Sequence, residues 1–417
     1  MGGVGARAPR EVYRAHVSRG RVALNEMLGA HVEASSHGSW IVTEDGRRFL
    51  NCAGYGVFLL GATHPRVVER VIEQVRSHPL SSRVLLDLTP AEAAGRLVAH
   101  CPAGLEKVHF VGSGAEAVET AIKLARADGC RRLVTTIDGY HGKTTGALSL
   151  TARPVFQDPF RPLLADVVAV PYGDPAALEQ ALDGQDRSMV IVEPIQGEAG
   201  VVVPPDGYLC DVQDVCRRHD AVLVVDEVLT GLGRLGTWFA STEAGIEPDV
   251  LLVGKGLSGG VVPVAAAVVT RRLYEVLDKD PFLHTSTFAA SPVATAAAAA
   301  ALEVMEDEDV VERAAMAGHA LMTSLRRAVE GHPLVVELRG RGLLVGLHLR
   351  DPGVAGELML ELIDRHVVVN HSLNRGDVLR LTPPATLTTE EIDVIGAAVE
   401  DGLAAVLRRE EEPVWRA

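Results

Sequence analysis

The chain has 417 residues, a formal net charge of −15 and a pI near 5.5, with 47% hydrophobic but only 4% aromatic residues. The acidic balance argues against nucleic acid or an anionic membrane as the main partner, and the length allows two domains around a core built from Ala, Val and Leu. No apolar run reaches the roughly 18 residues of a membrane span, and Met1 to Arg10 lacks the apolar centre of a signal peptide. Cys52, Cys101, Cys130, Cys210 and Cys216 form no metal-type pairs and read as free thiols in a reducing cytoplasm.

In chain order, the first 50 residues predict an arm and a short hairpin, Trp40 to Thr43 and Arg48 to Leu50 around Glu44-Asp45-Gly46. Between about Leu105 and Thr270 strands alternate with helices. The strands are 108–111, 133–136, 167–170, 189–192, 221–225, 250–253 and 265–269. All seven are continuous apolar runs, which predicts a mainly parallel sheet covered on both faces. Helices are expected over Ala115 to Ala127 and Tyr208 to His219. Ser291 to Glu330 predicts a long helical stretch in which Ala296 to Ala301 packs closely, since alanine favours helix and adds no bulk. Strands at 343–349, 367–370 and 378–381, then a helix opened by Thr388-Thr389-Glu390-Glu391, predict a smaller α+β domain.

Lysine is scarce. Lys107, Lys123, Lys143, Lys255 and Lys279 stand against 35 arginines among the 40 basic residues. A guanidinium cannot replace an amine that condenses with an aldehyde, so each lysine kept in this background invites a question. Lys255 ends the run Asp249 to Val253 and is flanked by Gly254 and Gly256. Apolar surroundings lower an amine's pKa and free its nucleophile, as a Schiff-base lysine needs. Capping of a strand end is the plain alternative.

Three other features fall at the carboxyl ends of predicted strands, where ligands bind in open α/β sheets. Gly112-Ser113-Gly114-Ala115 opens a helix and suits a phosphate, although such turns are common. Gly139-Tyr140-His141-Gly142-Lys143 offers an aromatic face, an imidazole and a cation; alone it would pass for a surface turn. Asp226-Glu227 ends a very apolar strand, where an acid either caps a helix or keeps a heterocyclic nitrogen protonated. Phosphate cradle, aromatic, carboxylate and amine together meet the needs of pyridoxal 5′-phosphate.

From about residue 40 to the C-terminus the chain resembles the class III (ornithine/ω-amino) aminotransferases. The matching stretches are Gly112 to Arg126, Tyr140 to Leu150, Glu193 to Gly200, Asp226 to Gly236, Gly254 to Gly260 and His284 to Phe288. Within that class, Ser77 to Ser82, Pro281 to Phe288 and Ser372-Leu373-Asn374 are similar to putrescine-type members. The resemblance implies the α/β fold type I of pyridoxal-phosphate enzymes. It implies an arm and part of a small domain over 1–55, a large cofactor-binding domain over 56–290, and a bridging helix with the C-terminal small domain over 291–417.

It further implies Lys255 as the Schiff-base lysine and proton shuttle, and Asp226 as partner of the pyridinium. Ser113, Gly114 and Ala115 would bind the phosphate, with Thr287 supplied by the second subunit of a homodimer, and Tyr140 would stack on the ring. Glu198 and Arg380 match a pair in which the glutamate covers or releases an arginine for an α-carboxylate. Tyr55 falls in the access segment, and Lys143 stands where many members carry a carboxylate-gripping arginine. Two further departures are Leu229, where the family usually has a glutamine bonding the cofactor's 3′-oxygen, and Ala289-Ala290-Ser291 in place of Gly-Gly-Asn. Ser258 or His141 could replace that glutamine's donor.

The function expected from this likeness is transfer of a terminal amino group between an amine or diamine and a keto acid or aldehyde, ping-pong, through Lys255. δ-Transamination of ornithine or acetylornithine is an alternative. Amination of a large aldehyde in a biosynthetic pathway, suggested by the apolar Val57-Phe58-Leu59-Leu60, is another, and aminomutation starts from the same chemistry. A transcription regulator with an aminotransferase-like domain would need a basic module, for which there is no room before Trp40.

Overall fold

A computed structural model describes residues 9–184 and 186–411; residues 1–8 of the predicted arm lie outside it. Its centre is a seven-stranded sheet in the order Leu105–Val111, Ala265–Thr270, Val250–Val253, Val222–Asp226, Ser188–Val192, Arg132–Thr136, Val167–Val170. Six strands are parallel, and Ala265–Thr270 runs against both of its neighbours. The apolar runs are explained by burial on two faces. Leu223 and Val225 join one core cluster while Val222 and Val224 join the other.

Helix Gly114–Ala127 covers one face through Ala117, Val118, Ala121 and Leu124. On the other face the alanine-rich helix Pro292–Asp307 is wedged against Pro65–Ser77 and Thr89–His100, with Ala296 to Ala301 all buried. The predicted continuous helix ends at Asp307. Asp309 takes a left-handed φ of +49°, and a second helix, Val310–Val329, starts there.

The N-terminal part is more ordered than an arm and hairpin. Helices Pro9–His16 and Arg19–Met27 precede a strand, Glu33–His37, that joins the hairpin, and Arg48–Asn51 pairs in parallel with Val367–Val368. A four-stranded C-terminal sheet follows, in the order Val335–Arg341, Leu344–Leu349, Arg375–Leu381, Asn370–Ser372. Helix Thr389–Glu411 opens with a reciprocal capping box: Glu391 N–H donates to Thr388 Oγ1 at 3.2 Å and Thr388 N–H to Glu391 Oε2 at 3.0 Å. Among the described residues no helix is long and apolar enough to cross a membrane.

Arg234 ties the parts together where they meet. It is 1% exposed, and its guanidinium donates to Gly56 O and Leu343 O, each at 3.2 Å, and to Pro383 O. Burial, then the nearby charge of Arg380, pushes it down to about 9. Buried charges are tolerated only when hydrogen-bonded, and the three acceptors come from three separate segments of chain. That junction borders the main cavity.

Candidate active site

A cavity of about 590 Å³ opens at the carboxyl ends of the parallel strands. Five of the six parallel strands deliver a group to it because the chain must turn there, out of the sheet and into a loop or helix. Val222–Asp226 ends in Asp226, Ser188–Val192 is followed by Glu193, and Val250–Val253 leads through Gly254 to Lys255. The antiparallel strand contributes the residues before it, Pro263 and Val264.

Asp226 is buried, with Oδ2 2.7 Å from His141 Nδ1 and Oδ1 accepting the Val228 N–H at 3.1 Å. Burial opposes a charge on His141, but the hydrogen bond and charge of Asp226, helped by Glu193, prevail and raise its pKa. His141 Nε2 is buried without a hydrogen-bond partner among the described residues. His141 Nδ1 is therefore committed to Asp226, while its Nε2, in the cavity wall, is left for another partner. Glu227, the other acid of the pair, turns away from the cavity and binds Ala240 N, Ser241 N, Ser241 Oγ and Thr230 Oγ1.

Lys255 is half-buried in the cavity wall, with a left-handed φ of +45° unusual for a lysine. Burial first, then the positive field of Arg380, pushes its amine down to about 8, against the opposing pull of Glu198, Asp226 and Glu193. Glu193 itself is pushed up to about 7, mainly by burial. Its Oε2 accepts the Tyr140 N–H at 3.0 Å.

Ser113 caps helix Gly114–Ala127 by accepting the Glu116 N–H at 3.3 Å. That leaves the first N–H groups, on Gly114 and Ala115 in the cavity wall, and the positive end of the helix dipole for an anion. Tyr140 lines the same cavity. Lys143 stands at its mouth, with Nζ 4.0 Å from the centre of the Phe156 ring and 5.9 Å from that of Tyr140.

Glu198 and Arg380 form a buried ion pair, Oε1 to Nη1, at 2.7 Å. Glu198 Oε2 also accepts the Leu373 N–H at 2.9 Å. Nε, Nη1 and Nη2 of Arg380 nevertheless lack well-aligned hydrogen bonds to any described residue. Tyr55 lies beside this pair, half-exposed, with its ring centre 5.9 Å from the Arg380 guanidinium carbon. Leu229 packs between Gly56 and Gly197 and lines the cavity: a Cβ on Gly197 would meet its Cδ2 at 2.1 Å.

The structure thus gathers Ser113, Gly114, Ala115, Tyr140, Lys143, Glu198, Asp226 and Lys255 around one space, with Arg380 behind Glu198. Thr287 does not line the cavity and is exposed. Of the apolar access run, Val57 reaches the cavity while Leu59 and Leu60 belong to the core. Glu193 and the His141–Asp226 bond went unread in the sequence. Glu193 did carry a signal, since it follows an apolar strand just as Asp226 ends one.

The donor set fits an aldehyde-bearing phosphate: a helix N-terminus, an amine of lowered pKa and a buried carboxylate backed by an imidazole. The family profile described as aminotransferase class-III matches residues 25–403. The chain is a class III aminotransferase. Enzymes of this class work with pyridoxal 5′-phosphate, and the fold is that of the type I enzymes. An ornithine aminotransferase from Toxoplasma gondii shares 30% identity over 98% of this chain and 100% of its own, with a TM-score of 0.86. An ornithine aminotransferase from Plasmodium yoelii shares 28% over 90% and 94%, at 0.78. A thermostable omega transaminase engineered to make bulky amines shares 27% over 93% and 96%, at 0.86.

Proposed function

We propose that this enzyme moves the terminal amino group of an ω-amine or a putrescine-like diamine to a keto acid, in two alternating half-reactions within one cavity. The observation that carries this reading is the buried Glu198–Arg380 pair at 2.7 Å. Closed, it neutralises Arg380, so an amine without an α-carboxylate meets no bare cation. With Glu198 turned aside, Arg380 offers a planar fork to the α-carboxylate of a keto acid.

Bound in the cavity, pyridoxal phosphate supplies an aldehyde that captures the amine and a ring that takes up electrons. The chain does the rest. Lys255 Nζ, deprotonated far more readily than an ordinary lysine, holds the cofactor and carries the proton to and from the substrate carbon. Asp226 keeps a proton on the ring nitrogen, and His141 supports its charge through the 2.7 Å bond. Tyr140 covers the ring, while Ser113, Gly114 and Ala115 bind the phosphate. Val57, Val261 and Val262 give the mouth an apolar side.

Thr287 of the partner subunit completes the phosphate site in this reading, which makes the enzyme a homodimer. Val84, Leu86 and Phe282 are 88%, 89% and 84% exposed on segments joined by Arg83, an apolar surface that suits a second copy. The division at residues 55/56 and 290/291 belongs to the same proposal, since Lys255 follows the central sheet and Arg380 sits on the C-terminal one. The five cysteines are free, which supports a reducing cytoplasm.

Mixing the loaded enzyme with one donor at a time and no acceptor tests the substrate. Diamines and ω-amines are expected to bleach the visible absorbance faster than α-amino acids without a distal amine. Bleaching by ordinary α-amino acids alone would overturn the reading. The likeness to ornithine aminotransferases favours a second reading, δ-transamination of ornithine-like amino acids. Bleaching by ornithine but not by putrescine would select it.

A further inference from the structure

We propose that Arg83 is a positioning residue for phosphate binding, holding the turn that presents Thr287 to the partner subunit. The proposal rests on the dimeric reading above. Ser286 to Ala289 closes as a turn, with the Ala289 N–H donating to Ser286 O at 3.2 Å. Thr287 and Phe288 are its two central residues, and both are exposed.

Arg83 grips both ends of this turn. Nη1 donates to Ser286 O at 2.9 Å and Nη2 to Ala289 O. A guanidinium presents its donors in a rigid fork, so two carbonyls held at once fix the turn's orientation as well as its place. Arg83 reaches them from a left-handed backbone, φ +61°, steadied by its own N–H donating to Ser81 Oγ at 3.1 Å. Left-handed backbone in a residue other than glycine is strained and persists where surrounding contacts hold it.

The other end of the segment is anchored separately. Lys123 Nζ donates to Leu283 O and to His284 Nδ1, each at 3.0 Å. His284 Nε2 lies 2.9 Å from Thr120 Oγ1, whose own proton goes to Glu116 O at 2.9 Å. An ammonium can only donate and that hydroxyl is already donating, so His284 is neutral with its proton on Nε2. Burial, then the charge of Lys123, lowers its pKa and agrees with that assignment. Thr120 and Lys123 lie on helix Gly114–Ala127, whose first turn lines this subunit's own cavity. The Thr287 turn is therefore clasped at both ends by Arg83, and the segment leading into it is bolted to a phosphate-site helix.

The test is a thermodynamic cycle on pyridoxal phosphate uptake by the apo-dimer, read as half-saturation of the visible absorbance. Thr287→Ala is expected to raise half-saturation roughly tenfold or more, as for a lost hydrogen bond to a charged group. Arg83→Ala should weaken uptake in the same direction, and so should Arg83→Gly, which accepts the backbone but lacks the fork. Arg83→Lys should recover part of the loss, and adding Arg83→Ala to Thr287→Ala should cost little more. Wild-type uptake by Arg83→Ala and Arg83→Gly beside a weakened Thr287→Ala would overturn the positioning role. So would full additivity, or dissociation to monomers in sedimentation in step with the loss. An unchanged Thr287→Ala would overturn the dimeric phosphate reading beneath it.

Discussion

The lowered pKa of Lys255 gives the most direct handle on the site. An amine at about 8 is roughly 10% unprotonated at pH 7, whereas one at the ordinary 10.5 would be about 0.03% unprotonated. Placing it in this wall thus raises the share of nucleophile about 300-fold. Burial is the main cause, but Arg380 lowers the value and Glu198 raises it, so the two partners of one ion pair act with opposite signs. Glu198→Gln removes a negative charge and should move the pKa down. Arg380→Met removes a positive charge, leaves Glu198 unpaired and should move it up. Each shift is expected to be about half a pH unit or more. The assay is the initial rate of pyridoxal phosphate uptake by apo-protein across pH 6 to 10, followed by absorbance. Because breaking a buried pair can cost about 3–5 kcal/mol, near-ultraviolet circular dichroism should first confirm that each variant is folded. Midpoints that do not move, or that move together, would refute the account of how the wall tunes this amine.

Lys255→Ala is expected to fold and abolish turnover, and Lys255→Arg to be equally inactive, since charge alone cannot replace the amine; appreciable transamination by either without added amine would remove Lys255 from its role. Glu193 has its pKa raised from 4.5 to about 7, so the folded state holds a proton the unfolded state has released. At 1.36 kcal/mol per pH unit its contribution should fall by about 3 kcal/mol as pH rises from 4.5 to 7 and then level off. Apo Glu193→Gln should lack this decline, and urea midpoints parallel to wild type over that range would show that Glu193 does not titrate in the fold. Leu229→Gln places an amide in the cavity wall and is expected to shift the pH midpoint of the bound cofactor's spectrum while activity persists; superimposable titrations would mean that position 229 does not face the cofactor.

The central sheet was legible because burial on two faces forces unbroken apolar runs, and seven such runs became seven strands. Lys255 and Asp226 were legible for a related reason: a charged residue at or just past the end of such a run has to be held by something. What stayed hidden depends on contacts between distant segments. Glu33–His37 carries the polar sequence Glu-Ala-Ser-Ser-His and is a strand only because Trp40–Thr43 offers it an edge. The break at Asp309 has no proline or glycine to announce it, only a left-handed aspartate between two helices.

The same division runs through the active site. Types and order of residues were readable, and commitments were not. Which group His141 Nδ1 serves could not be read from the sequence, and only the fold, by placing Asp226 Oδ2 2.7 Å away, gives that nitrogen to the carboxylate. With Leu229 apolar, the cavity wall keeps Ser258 and the Nε2 of His141 as candidates for the hydrogen bond that the family resemblance gives to a glutamine. Leu229 has a packing reason of its own, since its two methyl groups lie against Gly56 and Gly197, where any larger residue would collide. Those glycines bring the access segment and the Glu198 loop close around it. The departure at 229 is therefore part of how this cavity is closed, and the bond it gives up is one the enzyme must supply elsewhere or do without.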